Sequence, residues 1–204
     1  MGLAEVQRTL ARIYTDAELR ERFFGDPLKV GREIGLSPKE SRDLAQMSAA
    51  QVKTFADSLY GKRLLGVGKL LAMTRRTLGE RFDAHFRRYA AAPVEGGTPQ
   101  YLDDAREFAA YLENRLREER VGSGWTLDLL RYEKARLKAA DPKRRVVAAF
   151  FRHDISRLVR SVARREEPPT VVKRPTVALW IRSKRHGPVR YSAFSAPRLF
   201  GGGK

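Results

Sequence analysis

The 204-residue chain contains no cysteine, and histidine occurs only three times. Without cysteine there is no disulfide, thiolate nucleophile, zinc–thiolate site or iron–sulfur cluster. The separations of His85, His153 and His186 fit no metal-ligand spacing. A G-x-S-x-G elbow, an H-E-x-x-H helix and a dinucleotide-binding G-x-G-x-x-G are also missing. We therefore expect no catalytic residues, no metal site and no cofactor held by this chain itself.

Long hydrophobic runs are missing too. No stretch approaches the roughly 18 to 20 apolar residues that span a bilayer. The first 20 residues are amphipathic and include acidic side chains, unlike a secretory signal peptide. We expect a soluble, cytoplasmic protein without a membrane partner.

Acidic residues are scarce in the last third of the chain. Residues 141–204 hold 16 Lys/Arg and four Asp/Glu, so this segment carries +12 of the total formal charge of +17. A basic segment of this kind attracts a polyanion or an acidic protein. Both nucleic acid and a carboxylate-rich partner fit the charge.

Residues 1–140 show helical patterns. Asp16 is a predicted N-cap, and Ser37 with Glu40 forms a predicted capping box. Another start is predicted at Ser48, and from there a long helical pattern runs to Phe82, in which the glycines are expected to mark close packing or a kink and not a loop. Two more helices are expected near residues 99–119 and 126–139, with loops at residues 93–98 and 121–124.

After residue 141 the pattern changes. Residues 145–152 form a β-branched and aromatic run, Asp154 is positioned to cap a short helix over residues 155–162, and residues 176–182 and 189–194 predict a β-hairpin. The expected fold class is α+β. It comprises a predominantly helical domain over residues 1–140, a small mixed module over residues 141–200 that contains the hairpin, and a flexible tail over residues 201–204.

Residues 61–82 read GKRLLGVGKLLAMTRRTLGERF and superficially suggest a phosphate-binding loop. Such a loop needs a lysine after its second glycine, and Val67 stands there instead. The stretch fits an amphipathic helix better. Lys62, Lys69 and Arg76 recur every seven residues opposite its apolar face. This stripe is either a docking face or a solvated helix surface.

The predicted hairpin contains the candidate contact residues. Alternation places Trp180 and Arg182 on one face of a strand, and the return strand contributes Arg190 and Tyr191. An aromatic ring beside a guanidinium suits peptide or nucleic-acid recognition, whereas ordinary core packing of Trp180 is the alternative. His153 and Asp154 could form an acid/base pair by composition, but adjacent residues rarely face each other in regular structure.

Several short segments carry a family resemblance. Residues 59–63 (LYGKR), 78–82 (LGERF), 102–104 (LDD) and 128–133 (DLLRYE), with Phe86, Tyr89, Phe108 and Tyr111, resemble the helical domain of the HvfC/MbnC-like proteins. This domain was formerly labelled a putative DNA-binding domain. Residues 151–154 (FRHD) and 177–182 (VALWIR) look like the C-terminal module of that family. The chain departs from the family pattern at one point: where the family has a tyrosine-arginine motif, this sequence reads Tyr60-Gly61-Lys62-Arg63.

The resemblance implies a role as a companion protein. Members of this family bind multinuclear non-haem iron oxidative enzymes that modify ribosomally made peptides, and the iron is held by the enzyme. The resemblance implies a heterodimer in which this chain recognises and presents the precursor peptide. In methanobactin biosynthesis the leader peptide joins the companion's C-terminal sheet by strand addition.

Three functions follow as expectations. The first is a non-catalytic partner and peptide-recognition subunit, with contacts at Trp180, Arg182, Arg190 and Tyr191 and a docking face at Lys62, Lys69 and Arg76. The second is a basic nucleic-acid-binding protein. The third is a stand-alone enzyme, which would require a metal or cofactor to copurify with this chain.

Overall fold

The computed structural model describes residues 3–92, 100–119, 124–166 and 173–197. In these residues it contains α1 (Leu3–Thr15), α2 (Ala17–Gly25), α3 (Pro27–Glu33), α4 (Pro38–Ala45), α5 (Ala49–Leu70), α6 (Ala72–Leu78), α7 (Glu80–Ala90), α8 (Tyr101–Glu118), α9 (Gly124–Ala140), β1 (Val146–His153), α10 (Ile155–Ala163), β2 (Lys173–Arg182) and β3 (Val189–Ser195). The predicted α+β class, predominantly helical with a small C-terminal sheet, is confirmed. The predicted loop at 93–98, residues 121–123 of the predicted loop at 121–124 and the tail at 201–204 lie outside the described residues, whereas Gly124 is the first residue of α9 and not part of a loop. Within the described ranges, no helix is both long and apolar enough to cross a membrane.

Three helix starts follow the local signals in the sequence. The Asp16 side chain accepts the amide of Leu19 at 2.9 Å and begins α2. Ser37 and Glu40 complete the capping box of α4, with the Glu40 carboxylate accepting the Ser37 amide at 2.8 Å. Asp154 caps α10. These starts were predictable because cap and helix are neighbours in the sequence.

The long helical pattern predicted from Ser48 to Phe82 is confirmed as helical, but it is divided into three helices by two breaks. Helix α5 ends at Leu70, and Gly79 separates α6 from α7 with a φ of 56°, a conformation that favours glycine. The Glu133 carboxylate of α9 accepts the amides of Met73 and Thr74, each at 2.9 Å. The first turn of α6 is therefore capped by a residue about 60 positions away.

Two compact units make up the chain. Unit 1 comprises residues 1–66 and 84–104, and unit 2 comprises residues 67–83 and 105–204. The core of unit 1 contains Ile13, Leu19, Phe23, Val30, Leu36 and Val52. The predicted boundary at residue 140 does not coincide with this division, because α9 belongs to unit 2 and packs against β1.

Unit 2 contains an antiparallel sheet in the order β1-β2-β3. The predicted hairpin is confirmed as β2 and β3, paired from Thr176 opposite Ser195 to Arg182 opposite Val189. The core of unit 2 contains Met73, Leu129, Ala135, Ala139, Val147, Phe151, Ile155, Leu158, Val162, Ala178 and Trp180.

Candidate functional site

In the described part of the chain, one face of the sheet is covered and the other is open. Alternate residues of a strand point to opposite sides. The inner face includes Ala178 and Trp180, which are buried in the core of unit 2. We define the outer face as Val146, Ala148, Phe150, Val177, Leu179, Ile181, Arg190, Ser192 and Phe194. Four of these large side chains are strongly exposed: Val146 by 61%, Phe150 by 73%, Ile181 by 44% and Phe194 by 64%.

Trp180 lies on the inner face and is only 5% exposed. Its ring packs against Tyr132 of α9 at 5.6 Å and against Tyr191 of β3 at 5.2 Å between centroids. Of the two interpretations offered for Trp180, the structure supports core packing. As placed here, its side chain cannot reach a ligand on the surface.

Tyr191 and Arg190 remain accessible. Tyr191 packs edge-on against Tyr132 at 5.9 Å, yet 41% of it is exposed. Burial, with a smaller effect from neighbouring Tyr191, raises the pKa of Tyr132. Arg190 is exposed opposite Ile181 and therefore lies on the outer face. Of the four predicted contact residues, these two are available to a partner.

Arg182 connects the hairpin turn to the end of α9. Its guanidinium donates to the carbonyl oxygens of Gly187 and Ala139, each at 2.8 Å. The last carbonyl groups of a helix have no partner within the helix, so a guanidinium satisfies them well. Arg182 thus holds the turn in place and does not point to the outer face.

Among the strands that the structure describes, β3 forms an edge of the sheet. The amide of Ala196 donates to the carbonyl of Pro175 at 2.9 Å, which marks this as a hydrogen-bonded pair. Because pairing alternates along an antiparallel ladder, residues 190, 192 and 194 bond to β2. The amides of Tyr191 and Ala193 consequently face away from β2, toward the free edge.

At the opposite edge of the sheet, Asp128 of α9 binds the end of strand β1. Its buried carboxylate accepts the amides of Arg152 and His153 at 2.8 and 3.0 Å and lies 2.8 Å from Nδ1 of His153. The partner of His153 is therefore Asp128, and the composition-based pair of His153 with Asp154 does not form. Asp154 instead binds Arg174.

A second buried carboxylate of unit 2, Glu113, is surrounded by cations. It accepts from Arg131 at 3.0 Å and from Lys134 at 2.8 Å, and Arg117 also pairs with it. Burial opposes its ionisation, but the hydrogen bonds from Lys134 and Arg131 prevail and lower the pKa of Glu113. The cluster joins α8 to α9.

We expect Glu113→Gln to reduce the free energy of unfolding at pH 7 by about 1–3 kcal/mol, because it replaces charged hydrogen bonds with neutral ones. The folded-state pKa of Glu113 lies below its ordinary value of 4.5. The stabilisation is therefore complete above that value and is lost as the pH falls through the folded-state pKa. Urea unfolding followed by tryptophan fluorescence suits this test, since Trp125 and Trp180 both lie in unit 2.

The matched control is Glu118→Gln in the same helix. Glu118 pairs with Arg115, but its side chain is mostly exposed, so a change below about 1 kcal/mol is expected. Equal stability of wild type and Glu113→Gln at pH 7, or a difference that persists unchanged at pH 3, would contradict the assignment.

The predicted basic stripe is divided by the helix break. Lys62 and Lys69 are exposed on α5, but Lys62 belongs to unit 1 and Lys69 to unit 2. Arg76 lies on α6, and its guanidinium donates to the carbonyl oxygen of Val162. The three cations therefore do not share one continuous helix, and Arg76 is tied to the end of α10.

Four of the residues that carry the family resemblance form a buried ion pair and its surroundings in unit 1. The Arg63 guanidinium binds both carboxylate oxygens of Asp104 at 2.9 Å, and the Tyr89 hydroxyl donates to Asp104 at 3.0 Å. Phe86 and Tyr89 lie beside the guanidinium. Burial lowers the pKa of Arg63, but the hydrogen bond and the charge of Asp104 have the larger combined effect, so the pKa of Arg63 is raised. These residues stabilise unit 1.

No group of three or more His, Asp or Glu side chains suited to a metal ion occurs in the part of the chain that the structure describes.

Part of this chain is similar to a known protein family. Residues 45–114 match the family model described as "SCO6045-like, C-terminal domain". A comparison with curated proteins finds no match. The matched segment contains Arg63, Phe86, Tyr89 and Asp104 and ends before the sheet, so the similarity concerns the helices around the buried ion pair.

Proposed function

We propose that this protein is a non-catalytic subunit that binds a multinuclear non-haem iron oxidative enzyme and presents its ribosomal precursor peptide. The HvfC/MbnC-like resemblance supports this role, with iron held by the enzyme and the complex in the cytoplasm. The observation that carries the proposal is the free edge of β3, bordered by exposed Arg190 and Tyr191. An extended peptide can add to such an edge through main-chain hydrogen bonds.

Co-expression with a multinuclear non-haem iron oxidative enzyme and precursor peptide from the same organism tests the role. We expect a heterodimer that retains the peptide. Retention of neither component would overturn the proposal.

Ala193→Pro on β3 tests peptide binding at the edge. Its amide faces away from β2, and proline is tolerated at such positions of an edge strand. We expect the fold to persist while affinity for a labelled precursor peptide, measured by fluorescence anisotropy, falls about tenfold or more, because an amide donor is lost and the proline ring obstructs the edge.

Ala193→Ser keeps the amide and is the matched control, expected to bind like wild type. Hydrogen exchange of the unmodified protein gives an independent readout, with the amides of Tyr191 and Ala193 becoming protected when peptide is added. Undiminished binding by Ala193→Pro, or unchanged exchange at both amides, would contradict strand addition.

Nucleic-acid binding is the second candidate, because the net charge is +17 with exposed Lys62 and Lys69. True DNA binding weakens with salt by a log–log slope of about −0.9 for each phosphate neutralised. A steep slope with duplex DNA would favour this candidate, and absence of binding would remove it.

A further inference from the structure

We infer that the outer face of the sheet is a docking surface for an apolar protein surface rimmed by carboxylates. We identify this partner as the iron oxidative enzyme, and that identification rests on the proposed function. The outer face is separate from the edge amides of β3 that the proposed peptide uses.

The strand sequences are typical of a sheet that is covered on both faces. β1 reads VVAAFF before its arginine, and β2 contains VALWI. A strand with one solvated face normally alternates apolar and polar residues, whereas a continuous apolar run is typical of a strand buried on both sides. Here the inner face is covered by the chain itself, while Val146, Phe150 and Phe194 are more than 60% exposed.

The exposed side chains form one continuous patch. Val146 is opposite Ile181, and Phe150 is opposite Val177, which in turn is opposite Phe194. Directly opposed residues of an antiparallel sheet have Cβ atoms about 4.5–5.5 Å apart. Contiguous apolar patches of this kind mark interaction sites in proteins.

Charge identifies the kind of partner. Arg190 lies on the outer face, and Arg145, Arg152 and Lys173 are exposed at the strand ends. The three strands contain no Asp or Glu. A second copy of this chain would bring two such cationic rims together, and like charges across an interface are unfavourable. A partner with acidic residues around an apolar centre complements both features.

Phe150→Ser and Phe194→Ser, singly and combined, test the inference in the full-length protein. Both side chains are mostly exposed, so thermal unfolding should change little. We expect affinity for the purified iron enzyme, measured by isothermal titration calorimetry, to fall about 30-fold or more in the double variant, as for central residues of an interface. Phe55→Ser is the matched control, because Phe55 is an exposed phenylalanine of unit 1.

The outcomes separate the two proposals. Binding by wild type and Phe55→Ser with loss in the double variant supports the docking surface. Equal binding by all variants overturns the docking surface and leaves the proposed function standing. If the wild-type protein does not bind the iron enzyme, both the proposed function and the identification of that enzyme as the partner are overturned. A wild-type dimer in sedimentation that Phe150→Ser dissociates would show that a second copy covers the face, contrary to the inference.

Discussion

Asp104→Ala should reduce the free energy of unfolding of unit 1 by about 3–5 kcal/mol, because it leaves the Arg63 guanidinium buried without its counter-ion. The side chains of Arg63 and Asp104 are 6% and 0% exposed, so water cannot replace the lost carboxylate without rearrangement. Both tryptophans lie in unit 2, so far-UV circular dichroism during urea unfolding is the appropriate measurement.

Two further variants make this prediction specific. Asp57→Ala removes an aspartate whose pair with Lys53 is exposed, and it should cost less than about 1 kcal/mol. Arg63→Met combined with Asp104→Leu removes both charges and should recover much of the stability lost in Asp104→Ala. A loss below 1 kcal/mol in Asp104→Ala would show that the ion pair does not stabilise unit 1.

Trp180→Ala is expected to reduce the free energy of unfolding of unit 2 by about 3–5 kcal/mol, the usual cost of removing a large buried aromatic side chain. The ring contacts Tyr132 and Tyr191, so the resulting cavity would lie between α9 and the sheet. Chemical denaturation followed by circular dichroism measures the effect.

Phe150→Ala is the control from the same sheet. Because Phe150 lies on the outer face and is 73% exposed, its replacement should change stability by no more than about 0.5 kcal/mol. If Trp180→Ala were as stable as Phe150→Ala, the placement of Trp180 in the core would be wrong.

Local signals in the sequence predicted the parts of the fold that depend on neighbouring residues. The caps at Asp16, Ser37 and Asp154 were predictable because each side chain bonds an amide three residues ahead. The breaks around α6 were not, since the amides of Met73 and Thr74 are satisfied by Glu133 from a distant helix. Burial raises the pKa of Glu133, although those donors oppose the shift.

The candidate site was predicted in part. Strand alternation correctly placed Trp180 and Arg182 on one face of the hairpin, but it could not show which face would be covered, because both faces of β2 are apolar. The role of Asp128 was also hidden, since its contacts to Arg152 and His153 span about 25 residues. The uninterrupted apolar run in β1 was the feature of the sequence from which an apolar outer face could have been predicted.

Arg182 has a consequence for the speed of association. By bonding both the hairpin turn and the end of α9, it fixes the position of β3 before any partner arrives. A peptide that adds to this edge would meet a preformed template and would not wait for the hairpin to fold. For an acidic peptide, the association rate would then depend on its attraction to this basic segment, and the rate should fall as ionic strength rises.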